Sequence, residues 1–252
     1  MENLDYIQYL IIVSLFLSVL YLIIKLRKIH LYLYDIKSSF FRELSLTFDQ
    51  TQCLHALYLD LNFEKSFPKT RLWAGSPDFL MTLKELIEEN KPMIIVECSS
   101  GVSTIIIAKT LKILGCGHVY SLEHNLDYKV KTDEQLHRHD LCDWATVIHA
   151  PLKDYFIEDE AWLWYDIDEI GTRQIDMLVI DGPPATINKL ARFPAYPLLS
   201  NNFSAEIKII LDDANRVGEQ EIVKSWREKT SLDVESKFCE KGCIVLSPVT
   251  SA

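Results

Sequence analysis

The chain has 252 residues, 48% of them hydrophobic and 25% charged, enough for one sizeable α/β core and little more. A formal net charge of −10 argues against a nucleic-acid partner, because a phosphate backbone demands a positive surface. Six cysteines, at 53, 98, 116, 142, 239 and 243, show neither the pairing of a secreted scaffold nor a zinc spacing, so reduced, buried thiols are expected.

Ile7 to Ile24 is an apolar run broken only by Gln8, Ser14 and Ser18 and carries no charge. As a helix it rises about 27 Å, close to the roughly 30 Å hydrocarbon core of a bilayer. Tyr6, Tyr9 and Tyr21 lie near its edges. The first residues carry Glu2 and Asp5 and no basic residue, which does not suit a cleaved signal peptide, so the segment is expected to stay as a single-pass anchor over residues 1–28. Lys25, Arg27 and Lys28 follow immediately and place the remainder in the cytosol. Residues 29–64, rich in helix formers and without Pro or Gly, predict a juxtamembrane helical stalk. Pro68, Gly75 and Pro77 then break the periodicity, and a catalytic domain is expected over residues 65–252.

Ser76-Pro77-Asp78 opens an amphipathic helix ending near Asn90. Strands are expected at 93–98, 118–123, 145–150, 176–181, 206–212 and 243–246, with helices at 104–114, 132–141 and 218–229. This alternation predicts right-handed βαβ units and a mainly parallel sheet covered on both faces. In such sheets ligands bind beyond the carboxyl ends of the strands, so polar residues just after strands are the candidates.

The first strand runs into Glu97-Cys98-Ser99-Ser100-Gly101-Val102-Ser103-Thr104, a small-residue turn opening a helix whose free N–H groups can meet a carboxylate. The second ends at Glu123-His124-Asn125, where a carboxylate can accept both hydroxyls of a ribose. Together these strings resemble motif I and the following acidic motif of class I S-adenosylmethionine (SAM)-dependent methyltransferases, closest to a subgroup with E-x-G-S-G-x-S-T. The similarity runs from about Trp73 to Leu246. It implies a Rossmann-like, seven-stranded fold. It further implies that Glu97, Ser99, Ser100, Gly101, Ser103 and Thr104 surround the methionine end of SAM. Glu123, with His124 and Asn125, would hold the ribose, and Ala150-Pro151-Leu152 would border the adenine. Ser99 stands where the pattern has its first glycine, so a positive backbone dihedral there would be strained. The GxGxxG spacing of NAD enzymes is absent.

The remaining strand ends deliver Asp181-Gly182-Pro183-Pro184 and Asp212-Asp213. Three carboxylates there can converge on one hard cation such as Mg²⁺, or can cap helices or bind cofactor. The arrangement is similar to that of metal-dependent O-methyltransferases of the catechol and macrolide-sugar types, which implies Asp181, Asp212 and Asp213 as ligands. Asp181 would also border the cofactor, and Asp181, Asp212 and His124 would serve catalysis. His124 and Lys189 are candidates for the base. Arg192 and Arg216 can clamp an anionic acceptor or form salt bridges, Arg216 with Glu219 for instance. Trp162, Trp164 and Tyr165, within 155–172, belong either to a lid or to the packing of the sheet.

The function expected is O-methylation of a sugar, glycan precursor or other small hydroxyl acceptor at a membrane. Metal-independent N- or carboxyl-methylation and a non-catalytic membrane scaffold remain as alternatives. Oligomeric state is not readable from the sequence.

Overall fold

The computed structural model describes residues 2–70 and 75–249; Trp73, where the family resemblance begins, lies outside them. Two compact units are present, residues 1–49 and 50–252. The helix α1 (Glu2–Asp60) passes through both, unbroken because nothing before Pro68 interrupts it. It ends where Asn62 takes a left-handed conformation (φ 47°), a cap that asparagine tolerates better than most residues.

In the first unit α1 exposes Tyr6 to Ile24 almost entirely. It is the one helix among the described residues long and apolar enough to cross a membrane, with a mean hydropathy of 2.5 in its most apolar stretch. The hydroxyl of Ser18 donates to the carbonyl of Ser14 at 2.9 Å, so this polar group is satisfied within the helix, as a lipid environment requires.

In the second unit Leu57 in the last turn of α1 and Leu61 just after it, both expected in the stalk, are buried in one cluster with residues of α2 (Pro77–Asn90). The compact unit accordingly begins at Gln50, ahead of the proline-containing segment expected to mark its start.

The sheet is built from β1 (Ile94–Cys98), β2 (His118–Glu123), β3 (Ala145–His149), β6 (Ile175–Ile180), β7 (Phe203–Asp212), β8 (Leu232–Lys237) and β9 (Cys243–Pro248). A separate hairpin holds β4 (Leu152–Ile157) and β5 (Glu160–Tyr165). The seven strands run in the order β3-β2-β1-β6-β7-β9-β8. The first five are parallel, and β9 is antiparallel to both its neighbours. Helices α3 (Val102–Leu114), α4 (Leu126–Arg138) and α6 (Val217–Lys229), with the short α5 (Ala195–Leu199), complete the unit.

Both faces of the sheet are buried, and the pleat sorts side chains between them. Ile95, Met177, Val179 and Ile210 pack with α2 and α3. Val96, Leu178, Ile180, Ile209 and Leu211 pack with α6 and the hairpin. Strand order reverses between β1 and β6, the switch point beyond whose carboxyl ends open α/β sheets bind their ligands.

Several elements differ from the sequence-based expectation, the short α5 among them. Helix α4 starts at Leu126, six residues before the expected Thr132, because Asn125 caps it: its Oδ1 accepts from the N–H groups of Asp127 (2.9 Å) and Tyr128 (3.2 Å). Strand β8 was not anticipated; it is an edge strand with a mostly exposed, polar pattern. The β4–β5 hairpin turns at Glu158 and Asp159, both at positive φ (54° and 64°). That is a two-residue primed turn made without the Asn-Gly signal that normally announces one. Of the aromatics in 155–172, Trp164 and Tyr165 are fully buried in the core, which decides for packing.

Candidate active site

Glu97 ends β1 one residue early and is completely buried. Its Oε2 accepts from the hydroxyls of Thr104 (2.6 Å) and Ser121 (2.5 Å), and its Oε1 has no partner. Burial pushes its carboxyl above the ordinary 4.5, outweighing the opposite pull of the Ser103, Ser121 and Thr104 hydroxyls. Ser99 takes φ 130°, the strained geometry expected if a serine replaced the first glycine of the turn. Gly101 follows at φ 149°, donates its N–H to Thr104 Oγ1 at 3.0 Å and starts α3; a Cβ there would meet nothing within 4 Å, so open space lies beside it.

Glu123 closes β2. Its Oε2 accepts from the Ser100 hydroxyl and its Oε1 from the Asn125 N–H, each at 2.9 Å. Ser100, expected at the methionine end, thus stands on Glu123, and its hydroxyl also lies 3.1 Å from that of Thr132. His124 Nδ1 lies 3.3 Å from Glu123 Oε1 without hydrogen-bonding geometry and has no other partner. Beyond β3, the Ala150 N–H donates to the Glu123 carbonyl at 2.8 Å, which brings Ala150-Pro151-Leu152 alongside.

The loop after β6 is drawn against β1 by the Asp181 N–H, which donates to the Cys98 carbonyl at 3.2 Å. Gly182 is required there: a Cβ would stand 2.3 Å from the Tyr165 hydroxyl and 3.2 Å from the Cys98 carbonyl. Asp212 ends β7 and Asp213 follows at φ 58°. One oxygen from each of Asp181, Asp212 and Asp213 falls within 4.8 Å of the others. Both carboxylate oxygens of Asp212 and Oδ1 of Asp213 are buried without a partner. Burial pushes Asp181 up to about 6, and burial with the neighbouring Asp181 and Asp213 lifts Asp212 well above the carboxylate range.

Arg192 enters this cluster and is 4% exposed. Its guanidinium donates to Asp213 Oδ2 (2.8 Å), to the carbonyls of Asp181 and Asp212 (2.7 Å each) and to Asp181 Oδ1 (3.3 Å). Burial works to lower its pKa, and Asp181, Asp213 and Glu219 outweigh that and raise it. Arg216, half exposed, reaches Asp213 Oδ2 at 2.8 Å and Glu219 at 3.9 Å. Both arginines considered for an acceptor clamp are therefore engaged with protein carboxylates, the salt-bridge alternative. Lys189 is exposed, pairs with Glu221 at 3.9 Å and is not among the residues gathered at the strand ends. Tyr165, Ser121, Thr132 and Glu219 complete the neighbourhood. None follows a strand directly, so strand-end position could not mark them.

No protein-family model matches this sequence, and no curated protein does. Solved structures do. A methyltransferase from Geobacter sulfurreducens superposes with a TM-score of 0.53 at 13% identity, over 80% of this chain and 90% of its own. An O-methyltransferase from Bacillus cereus in complex with SAH gives 0.52 at 16% identity, over 79% and 90%. An SAH-bound methyltransferase from Podospora anserina gives 0.54 at 13%, over 77% and 86%. The fold is that of the class I SAM-dependent methyltransferases. In this methyltransferase fold the strand-end residues singled out from the sequence follow the carboxyl ends of the parallel strands, on both sides of the switch point between β1 and β6.

Proposed function

We propose that the protein is a membrane-anchored SAM-dependent methyltransferase acting on a hydroxyl of a small or glycan-type acceptor. The observation that carries this is the set of buried carboxylate oxygens without partners at the ends of β1 and β7, Glu97 Oε1 and Asp212 Oδ1 and Oδ2, in a methyltransferase fold. Unsatisfied buried polar atoms are costly, by about 1–3 kcal/mol each and more for charged groups, and are kept where a ligand completes them.

Glu97 Oε1 suits the ammonium of a bound amino acid such as the methionine part of SAM, and the turn 99–101 with the amino terminus of α3 suits its carboxylate. Glu123 is the ribose acceptor in this proposal, with Ser100 yielding its hydrogen bond, and Ala150-Pro151-Leu152 lies beside the base. SAM supplies the electrophilic methyl group when bound. Asp212 and Asp213, with Asp181, have the oxygen donors and open valences of a Mg²⁺ site. When bound, such a cation supplies Lewis-acid activation and orientation of a hydroxyl acceptor. His124, partly exposed beside Glu123, is the general base in this proposal.

Arg192 favours a second reading, transfer without a metal, because a guanidinium already stands among the aspartates. Calorimetry of the full chain in detergent, titrated with SAM and with its demethylated product, each with Mg²⁺ and with EDTA, separates these. Micromolar binding is expected; its absence in every condition, with the protein folded, would leave only a scaffold. Turnover insensitive to EDTA would select the metal-free reading.

The tether rests on the exposed apolar face of α1 and the basic residues after it. The protein is expected in the alkali-washed membrane fraction with residues 65–252 protected from external protease. Release by the wash would remove the anchor.

A further inference from the structure

We propose that Arg192, with Arg216 outside it, is a positioning residue that sets the residual charge of the aspartate centre to that of one divalent cation. This rests on the metal-assisted reading above and concerns what the two arginines do to it. Their contacts divide the carboxylate oxygens into two sets. Asp213 Oδ2 is closed, held by Arg192 and Arg216 at 2.8 Å each, while Oδ1 of the same side chain is open. Asp181 Oδ1 faces Arg192 at 3.3 Å, and both oxygens of Asp212 are open. The open atoms belong to Asp212 and Asp213, residues only 1% and 4% exposed, and are themselves buried, so solvent does not satisfy them.

The charges follow the same division. Asp181, Asp212, Asp213 and Glu219 supply four negative charges when ionised; Glu219 lies 3.6 Å from Arg192 and 3.9 Å from Arg216. Two guanidinium groups leave two negative charges, the number a divalent cation balances. Glu97 and Lys241 also act on Asp181, with opposite signs. Arg192 further ties the carbonyls of Asp181 and Asp212 together at 2.7 Å each, which fixes the loops after β6 and β7 against one another before any ligand arrives. A lysine has one point of charge and cannot hold both carbonyls and Asp213 in a planar fork, which is the reason for an arginine here.

The test uses the ratio of trivalent to divalent ion affinity, which a purely structural role would not move. Mn²⁺ binding to the full chain is followed by electron paramagnetic resonance and Tb³⁺ binding by sensitised luminescence, for the wild type, R192Q, R192K and R216Q. With one positive charge gone, R192Q is expected to shift the ratio toward Tb³⁺ by on the order of tenfold. R192K, which keeps the charge, holds the wild-type ratio even if both affinities weaken. R216Q, at a half-exposed position, shifts it in the same direction by less, and it decides the matter if circular dichroism finds R192Q unfolded. An unchanged ratio in the folded glutamine variants overturns the proposal while leaving the metal site standing. A wild type that binds neither ion removes the metal site and the proposal with it.

Discussion

The two sides of the switch point between β1 and β6 treat buried carboxylates differently. On the β1–β2 side, Glu97 and Glu123 are held by hydroxyls and backbone N–H groups at 2.5–2.9 Å, from Thr104, Ser121, Ser100 and Asn125. On the β6–β7 side the partners are guanidinium groups, and Asp212 keeps two oxygens with none. Neutral donors satisfy a carboxylate without cancelling its charge and can be exchanged for the hydroxyls or ammonium of a ligand. Guanidinium groups cancel charge and fix geometry. The first side is suited to holding a polar organic molecule, the second to a centre of controlled charge.

Substitutions on the two sides should separate in the same way. Asp212→Asn leaves the fold and SAM affinity in place and lowers the methyl-transfer rate by on the order of a hundredfold in a labelled-methyl assay. Full activity in this variant would take Asp212 out of the reaction. Glu123→Ala acts on the other side: calorimetry should give SAM affinity reduced by about tenfold or more, since two hydroxyls lose a charged acceptor. An unaltered affinity would move the ribose elsewhere.

Smaller effects test the turn itself. Ser99→Gly removes the strain of φ 130° and should raise stability by about 1 kcal/mol, seen as a melting temperature higher by about 2–4 °C. A fall would mean that the serine hydroxyl contributes more than the strain costs. Glu97 gives the pH dependence. Its folded pKa is raised above the ordinary 4.5, so its contribution to stability is fully present below 4.5 and is lost as pH rises through the folded value. Glu97→Gln, which keeps an acceptor for Thr104 and Ser121, should therefore gain on the wild type between pH 4.5 and neutrality in urea melts. Parallel curves for the two proteins would refute the burial effect.

Much of this was legible before the fold was known. Apolar periodicity placed β1, β2, β3, β6 and β7 and the helices after β1 and β7 to within a few residues, because strands buried on both faces read as continuous apolar runs. The acidic residues were found by their position after those runs. Helix α4 was displaced because its exposed face carries Leu126, Tyr128 and Val130, which blur the amphipathic signal, while the Asn125 cap was the readable cue. The hairpin β4–β5 escaped because Glu158-Asp159 makes a turn that composition assigns to glycine and asparagine.

The sequence by itself determined the order of elements, the apolar amino-terminal helix and the presence of carboxylates at four strand ends, since these depend on local patterning along the chain. Only the tertiary structure decided which charges neutralise which. Arg192 stands eleven residues after Asp181 and twenty-one before Asp213, in a loop without regular structure, and nothing local fixes where its guanidinium goes. The pairing arises because the crossover between β6 and β7 returns that loop over their carboxyl ends. There, burial leaves a cation no better partner than the aspartates, and the aspartates no water to turn to.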